Sequence, residues 1–226
     1  MSLWSRIAEF VSDVGGSIAA ALQRLVEPPA PENSIAFTIG MIALSAKMAR
    51  ADGEVTGAEV RAFRQVFQVP PEEAGHVERV FNLAKQDVAG YDAYARQIAR
   101  LFRSRREMLE DVLDGLFHIA TSDHLMHEAE LEYLRHVAEI FGFAPHEFRA
   151  IKLRHVSEPC DPCEILGIAP DAAPDAIRRR YRELVRENHP DRHIAAGMPP
   201  EMIDIATAKL AAINSAYAEI AKERGL

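Results

Sequence analysis

A repeat constrains this chain more than any other feature. Residues 42–63 align with residues 113–134 at an offset of 71 positions. Ala49 matches Ala120, Asp52 matches Asp123, Val55 matches Met126, Glu59 matches Glu130, Val60 matches Leu131 and Phe63 matches Leu134. Each copy reads as a helix, an Asp-containing turn and a second helix, with a Glu seven residues after the Asp. Duplication of such a unit implies two helix-turn-helix elements packed about a pseudo-twofold axis. The flanking segments repeat the helical period, and strand-like alternation is absent, so the expected fold class is all-α.

The helices have readable starts. Residues 34–51 place Ile35, Ile39, Ile42, Ala43 and Ala46 on one face. Thr56-Gly57-Ala58-Glu59 is a capping box for a helix running to about Phe67, and Ser104-Arg105-Arg106-Glu107 is a second one, for a helix to about Thr121. Pro70-Pro71-Glu72-Glu73 opens another, with proline in the first turn and acids at the positive end of the dipole. Further helices are expected over 91–102, 127–141 and 145–153. Pro28-Pro29-Ala30-Pro31-Glu32 predicts an extended linker over 28–33, and Ser157-Glu158-Pro159 a second one. The units are therefore an N-terminal helix (1–27), a helical body (34–156) and a last unit (160–226).

Charge and cysteines narrow the function classes. The 226 residues carry a net charge of −8, so no global field favours nucleic acid. Residues 174–188 are locally net +2 on this acidic chain, which suits a specific acidic partner surface. The two cysteines, Cys160 and Cys163, are too few for a disulfide scaffold and fit a reducing, cytoplasmic setting. Apolar runs are too short for a membrane span, and Glu9 and Asp13 interrupt any signal-peptide core. In residues 2–26, Trp4, Ile7, Val11, Val14, Ile18, Leu22 and Leu25 follow a near-heptad spacing. That helix packs on the body, pairs with a second copy, or lies on the cytoplasmic face of the inner membrane with Trp4 and Phe10 as anchors.

The sharpest local feature is IRRRYRELVRENHPDR at residues 177–192. Ile177, Tyr181, Leu184 and Val185 form an apolar helical face, and Arg178, Arg182 and Arg186 form a neighbouring stripe at i, i+4, i+8. Pro190 lacks an N–H and disfavours helical dihedrals at His189, so the helix stops at about Asn188. His189 and Asp191 are then expected on a stiff projecting loop that extends to Met198. Before this helix stands DPCEILGI, with Gly167 ending a short helix. After it comes AKLAAINSAYAEI, with Ile205, Leu210, Ile213, Tyr217 and Ile220 as inward candidates.

Two resemblances follow from these motifs. AKMARADGEVTGAE, echoed by ATSDHLMHEAE, resembles the TerB domain over roughly residues 33–155. DPCEILGI, the arginine helix with HPD, and INSAYAEI resemble the J domain of DnaJ co-chaperones over residues 160–226, in the right order and spacing. Together they resemble the DjlA-type J proteins. The resemblance implies a helical body joined to a helical hairpin, a DnaK-type ATPase chaperone as partner, and stimulation of its ATP hydrolysis. It implies that His189, Pro190 and Asp191 trigger this, and that Arg178, Tyr181, Arg182, Arg186 and Arg192 dock on the partner. Arginines on a rigid helix suit that task, since they pair bidentately with carboxylates and steer encounter. The TerB-like body would supply targeting or partner choice. Three positions depart from the J pattern: Cys163 replaces an aromatic, and Glu183 and Glu187 stand where basic residues are common.

Other readings stand beside this one. Asp52, Glu59, Asp123 and Glu130 are helix caps and first-turn acids, or they converge on a divalent cation, as is suspected in the TerB family. In the second case the chain is a metal- or metalloid-responsive scaffold with a degenerate J unit. His124 and His127 belong to a polar turn or to a transition-metal site. Cys160 and Cys163 are an idle pair or a redox pair. Arg96, Arg100, Arg103, Arg105 and Arg106 are a solvated face or a contact for acidic headgroups. His189 and Asp191 lack a patterned nucleophile or a phosphate-binding glycine loop, so no enzyme and no cofactor is expected.

Overall fold

The periodicity of the chain is realised as helices throughout the described residues, with no strand among them. The computed structural model describes residues 3–13, 18, 21, 30–48, 61, 63, 64, 69, 71–86, 90–121, 126–156, 162–195 and 203–226. In order, α1 is Leu3–Asp13, α2 is Ala30–Met48, and a single 3-10 turn Pro71–Glu73 leads into α3, Ala74–Gln86. Then come α4 (Tyr91–Leu101), α5 (Arg106–Ala120), α6 (Glu128–Phe141) and α7 (Pro145–Lys152). The C-terminal unit contains α8 (Pro162–Leu166), α9 (Pro174–Glu187), α10 (Pro190–Ala195) and α11 (Ile203–Arg224).

Local chemistry sets the ends. The His127 N–H donates to the Glu130 carboxylate at 3.0 Å, which satisfies a donor at the start of α6. Gly142 ends that helix at φ +82, a left-handed conformation natural to glycine, and its N–H donates to the Glu139 carbonyl at 3.0 Å. The capping box expected at Ser104 does not form. Arg105 precedes α5 instead, with no side-chain cap. Phe102 is buried in the core, and a turn from the Arg105 N–H to its carbonyl (2.8 Å) delays the helix start beyond Ser104. The box expected at Thr56 lies outside the described residues.

Two cores result. The larger one gathers α1 to α7 around Phe63, Phe81, Tyr94, Phe102, Phe117 and Phe148. The repeat is visible here: Ile42 and its counterpart Leu113 are both buried, as are Phe63 and Leu134. The Tyr133 hydroxyl donates to the Leu44 carbonyl at 2.9 Å and ties α6 to α2. Gly40 lets α2 and α4 approach closely, since a Cβ there would stand 2.9 Å from Ile98 Cδ1. The smaller core joins Cys163, Leu166, Ile177, Leu184, Ile213, Ala216 and Ile220. Cys163 is thus a buried apolar side chain at the base of the hairpin, in contact with the Arg224 guanidinium at 3.4 Å, and Cys160 lies outside the described residues.

The N-terminal helix, the first linker and the last helix each take a definite form. Of the placements open to the N-terminal helix, packing on the body is the one seen: Trp4, Ile7, Val11 and Ile18 belong to the large core, and Trp4 meets Phe63 edge-on at 6.4 Å. Trp4 is 3% exposed, so it cannot serve as a surface anchor while packed there. The linker at 28–33 is shorter than read, because α2 already begins at Ala30; proline is tolerated in a first turn, where no N–H is required of it. Finally, the two cores share α11. Along one stripe of that helix, Ala206 enters the large core, Lys209 follows, and Ile213, Ala216 and Ile220 enter the small one.

Candidate functional site

The arginine helix is two-sided. At about 100° per residue, Arg178, Arg182 and Arg186 fall within roughly 80° of each other, while Arg180 and Glu187 lie roughly 160–200° from Arg178. The first three are exposed. On the opposite side, Arg180 donates to the Leu166 carbonyl at 3.2 Å and lies 3.8 Å from both Glu183 and Glu187. Of the two acidic departures from the J pattern, Glu187 lies opposite Arg178 and Glu183 flanks Arg186, and Arg180 answers both. This inner side, with Leu184 and Asn188, lines a cleft of about 410 Å³ whose far wall is Glu107, Glu110 and Arg154 of the body.

Tyr181 is held inside the hairpin. Its ring stacks on Tyr217 with centroids 3.9 Å apart, and its hydroxyl donates to Asn214 Oδ1 at 3.0 Å. Arg192 leans the other way and pairs with Glu107 of the body at 3.7 Å. The five arginine and tyrosine positions singled out by sequence thus divide into three outward residues, one packing residue and one that faces the body.

Asn188 closes α9 twice over: its N–H and its side-chain amide both donate to the Leu184 carbonyl, at 2.9 and 2.8 Å. Pro190 then begins α10 rather than a loop, which corrects the expectation for Asp191. Proline both stops a preceding helix and suits the first position of the next. The Asp191 N–H donates to His189 Nδ1 at 3.2 Å. With Nδ1 accepting, the neutral ring carries its proton on Nε2. His189 and Asp191 side chains are 53% and 87% exposed, beside one another at 3.7 Å.

A group that sequence reasoning missed sits behind this surface. Lys209 is 1% exposed and places Nζ 3.0 Å from Glu110, 3.4 Å from Asp111 and 3.1 Å from Asp114. Arg154 reaches Glu110 at 2.7 Å and Asp114 at 3.2 Å, and His155 Nε2 meets Asp114 at 2.8 Å while its ring stacks on Phe117. Burial pushes the Glu110 carboxyl up, but Lys209 and Arg154 outweigh it and bring it down to about 2. Burial also opposes the charge on Asp114, yet Lys209 and Arg154 hold that carboxyl far below the usual range. Burial alone would lower Lys209; Glu110, Asp114 and Asp111 raise it well above its ordinary value. The signal was present as three acids at i, i+1 and i+4 among the apolar residues of MLEDVLDGLF, and as one lysine among the alanines of AKLAAI.

The remaining candidates separate. Glu130 is a buried cap for His127, as described above, and Asp52, Glu59, Asp123 and His124 lie outside the described residues. Among the described residues no group of three or more His, Cys, Asp or Glu side chains is placed to hold a metal ion. The arginine run on α4 and α5 is partly internal business: Arg96 pairs with Asp92, and Arg106 pairs with Glu147 at 2.7 Å and lies over the Phe143 ring. No described helix is long and apolar enough to cross a membrane.

Fold and surface together define an all-helical protein among the described residues: a body that carries a hairpin with an outward basic stripe and an exposed His-Pro-Asp turn. Comparison with known proteins places it further. The family model "Tellurite resistance protein TerB" matches residues 38–153, and the DnaJ domain model matches residues 161–224. The chain is 25% identical to Co-chaperone protein DjlA of Photobacterium profundum, over 86% of this chain and 80% of the relative. It is 26% identical to Co-chaperone protein DjlA of Aliivibrio fischeri (81% and 77%) and 27% identical to that of Coxiella burnetii (79% and 74%). No solved structure matches it. The chain belongs to the TerB family, and the DnaJ domain that follows gives it the architecture of the DjlA-type J-domain co-chaperones.

Proposed function

We propose that the J hairpin docks on a DnaK-type chaperone and stimulates its ATP hydrolysis, and that the TerB body sets targeting or partner choice. The observation that carries this reading is the exposure of His189 and Asp191 at the end of an outward arginine stripe. Arg178, Arg182 and Arg186 offer guanidinium groups that need little reordering to meet carboxylates on a partner. Asp191, held at the first turn of α10, offers a carboxylate to a cation on the same partner. Neither residue needs a reacting group of its own, since the hydrolysis belongs to the chaperone.

Single-turnover ATP hydrolysis by the cognate chaperone tests this, with wild type, His189→Gln and Asp191→Asn compared at equal concentration. Both side chains are exposed, so the variants should fold as wild type by circular dichroism. Stimulation should fall by at least about tenfold, the loss expected when a docking contact worth about 1.4 kcal/mol disappears. Equal stimulation by all three proteins would remove the proposal.

A further inference from the structure

We propose that Lys209 is a positioning residue, a latch that seats the J hairpin on the TerB body in one orientation so that the two tumble and bind as one rigid unit. This goes beyond the proposed function and depends on it only for its consequence. The socket is built by the body. Glu110, Asp111 and Asp114 stand on adjacent turns of α5, and the body answers Glu110 and Asp114 with the Arg154 guanidinium and Asp114 also with the His155 ring. Burying three carboxylates this close together is costly unless cations pack against them. The chain supplies a further cation from α11, where Lys209 contacts all three acids.

Two more cross-contacts lie elsewhere on the seam. Arg149 at the end of α7 grips Glu164 of α8 through Nε and Nη2 at 3.0 and 3.2 Å. Arg192 of α10 meets Glu107 of α5. Ala206, one turn before Lys209, is buried in the large core. Separate anchor points on α8, α10 and α11 resist rotation about any one axis, which a single hinge contact would permit. The consequence is directional. The inner side of α9 faces the body, the stripe of Arg178, Arg182 and Arg186 faces out, and a chaperone seated on that stripe always meets the body on the same side.

Nitrogen-15 relaxation of the full chain tests this without any chaperone present. Amides of α2 to α7 and of α9 should share one rotational correlation time in wild type. In Lys209→Glu the fourth carboxylate should expel α11, and α9 should then report a time roughly 1.5-fold or more shorter than the body, as a small linked domain does. Two separate times in wild type overturn the latch, and so does a single shared time in a folded Lys209→Glu protein. If that variant does not fold, Lys209→Gln, which removes the charge with a shorter polar side chain, is read in the same way with the same two outcomes. Because the readout contains no ATPase, a co-chaperone with loosely tethered domains would fail here and still pass the hydrolysis assay.

Discussion

Replacing Lys209 by Met isolates the energetic weight of the buried charge cluster. The side chain keeps its length and apolar stem but loses an ammonium that lies within 3.4 Å of three carboxylates and is 1% exposed. Removing one partner of a buried ion pair costs roughly 3–5 kcal/mol, because the opposite charge is left uncompensated. Arg154 and His155 remain, which places the expected loss at the lower part of that range at pH 7. With an m-value of about 3 kcal/mol/M the urea midpoint should fall by about 1 M. The pH dependence is the more specific test. In wild type, Glu110 titrates at about 2 when folded against an ordinary 4.5, so between those values the unfolded chain binds more protons. The stability from this group is fully present above about pH 4.5 and is lost as pH falls toward 2. In Lys209→Met the ammonium no longer offsets burial, so the folded carboxyls move up toward their ordinary range and the stability lost on protonation shrinks. The gap between wild type and variant should therefore be widest near neutral pH and close in acid. Urea unfolding followed by circular dichroism from pH 2 to pH 8 measures it. A difference that stays constant across that range, or one below about 1 kcal/mol at pH 7, would refute the electrostatic account. The double variant Lys209→Met/Glu110→Gln should recover about 1 kcal/mol or more through coupling between contacting residues.

Other outcomes follow from the same structure. Trp4→Ala should cost about 3–5 kcal/mol, since an aromatic is removed from a packed core, and thermal melting reads it; an unchanged melt would return Trp4 to the surface. Trp4 is the sole tryptophan, so wild-type fluorescence should be blue-shifted and resistant to acrylamide quenching. Charge reversal at Arg178 and Arg182 should weaken binding to the DnaK-type chaperone by tenfold or more and flatten its salt dependence, as expected for desolvated charge pairs worth about 1.5–3 kcal/mol each; isothermal titration at two salt concentrations decides it. Gly142→Ala should destabilise by about 1–2 kcal/mol in chemical denaturation, the cost of a Cβ in a left-handed conformation, because no neighbouring atom lies close enough to add a clash.

Much of this fold was legible along the chain. The helix over 91–102, the proline start at Pro145, the glycine stop at Gly142 and the end of the arginine helix at Asn188 all follow from signals within four residues of one another. The HPD turn was legible for the same reason. What failed was equally local in origin. Pro190 carries the sequence signal of a terminator, although the same fixed φ also opens α10. Ser104 carries that of a cap, although the burial of Phe102 moves the turn. On α11, Ile213 and Ile220 were identified as inward, yet Ala206 and Ala216 were passed over because alanine carries little hydrophobic signal despite being buried.

The sequence by itself determined the all-α class, the repeated helical unit, the arginine stripe and the position of His189-Pro190-Asp191. These rest on spacing of 3.6 residues and on the backbone limits of proline and glycine, which act through neighbours in the chain. Only the tertiary structure decided that Trp4 faces inward, that Arg180 answers both Glu183 and Glu187, and that α11 serves two cores. It also decided that Lys209 meets Asp111, a residue 98 positions earlier. The physical reason is that a charge is written in sequence as a solvated group by default. Whether it is buried instead depends on which opposite charges the packing brings within about 3–4 Å, where a low dielectric magnifies their attraction. That distance is a property of how helices cross, and no window of local sequence contains it.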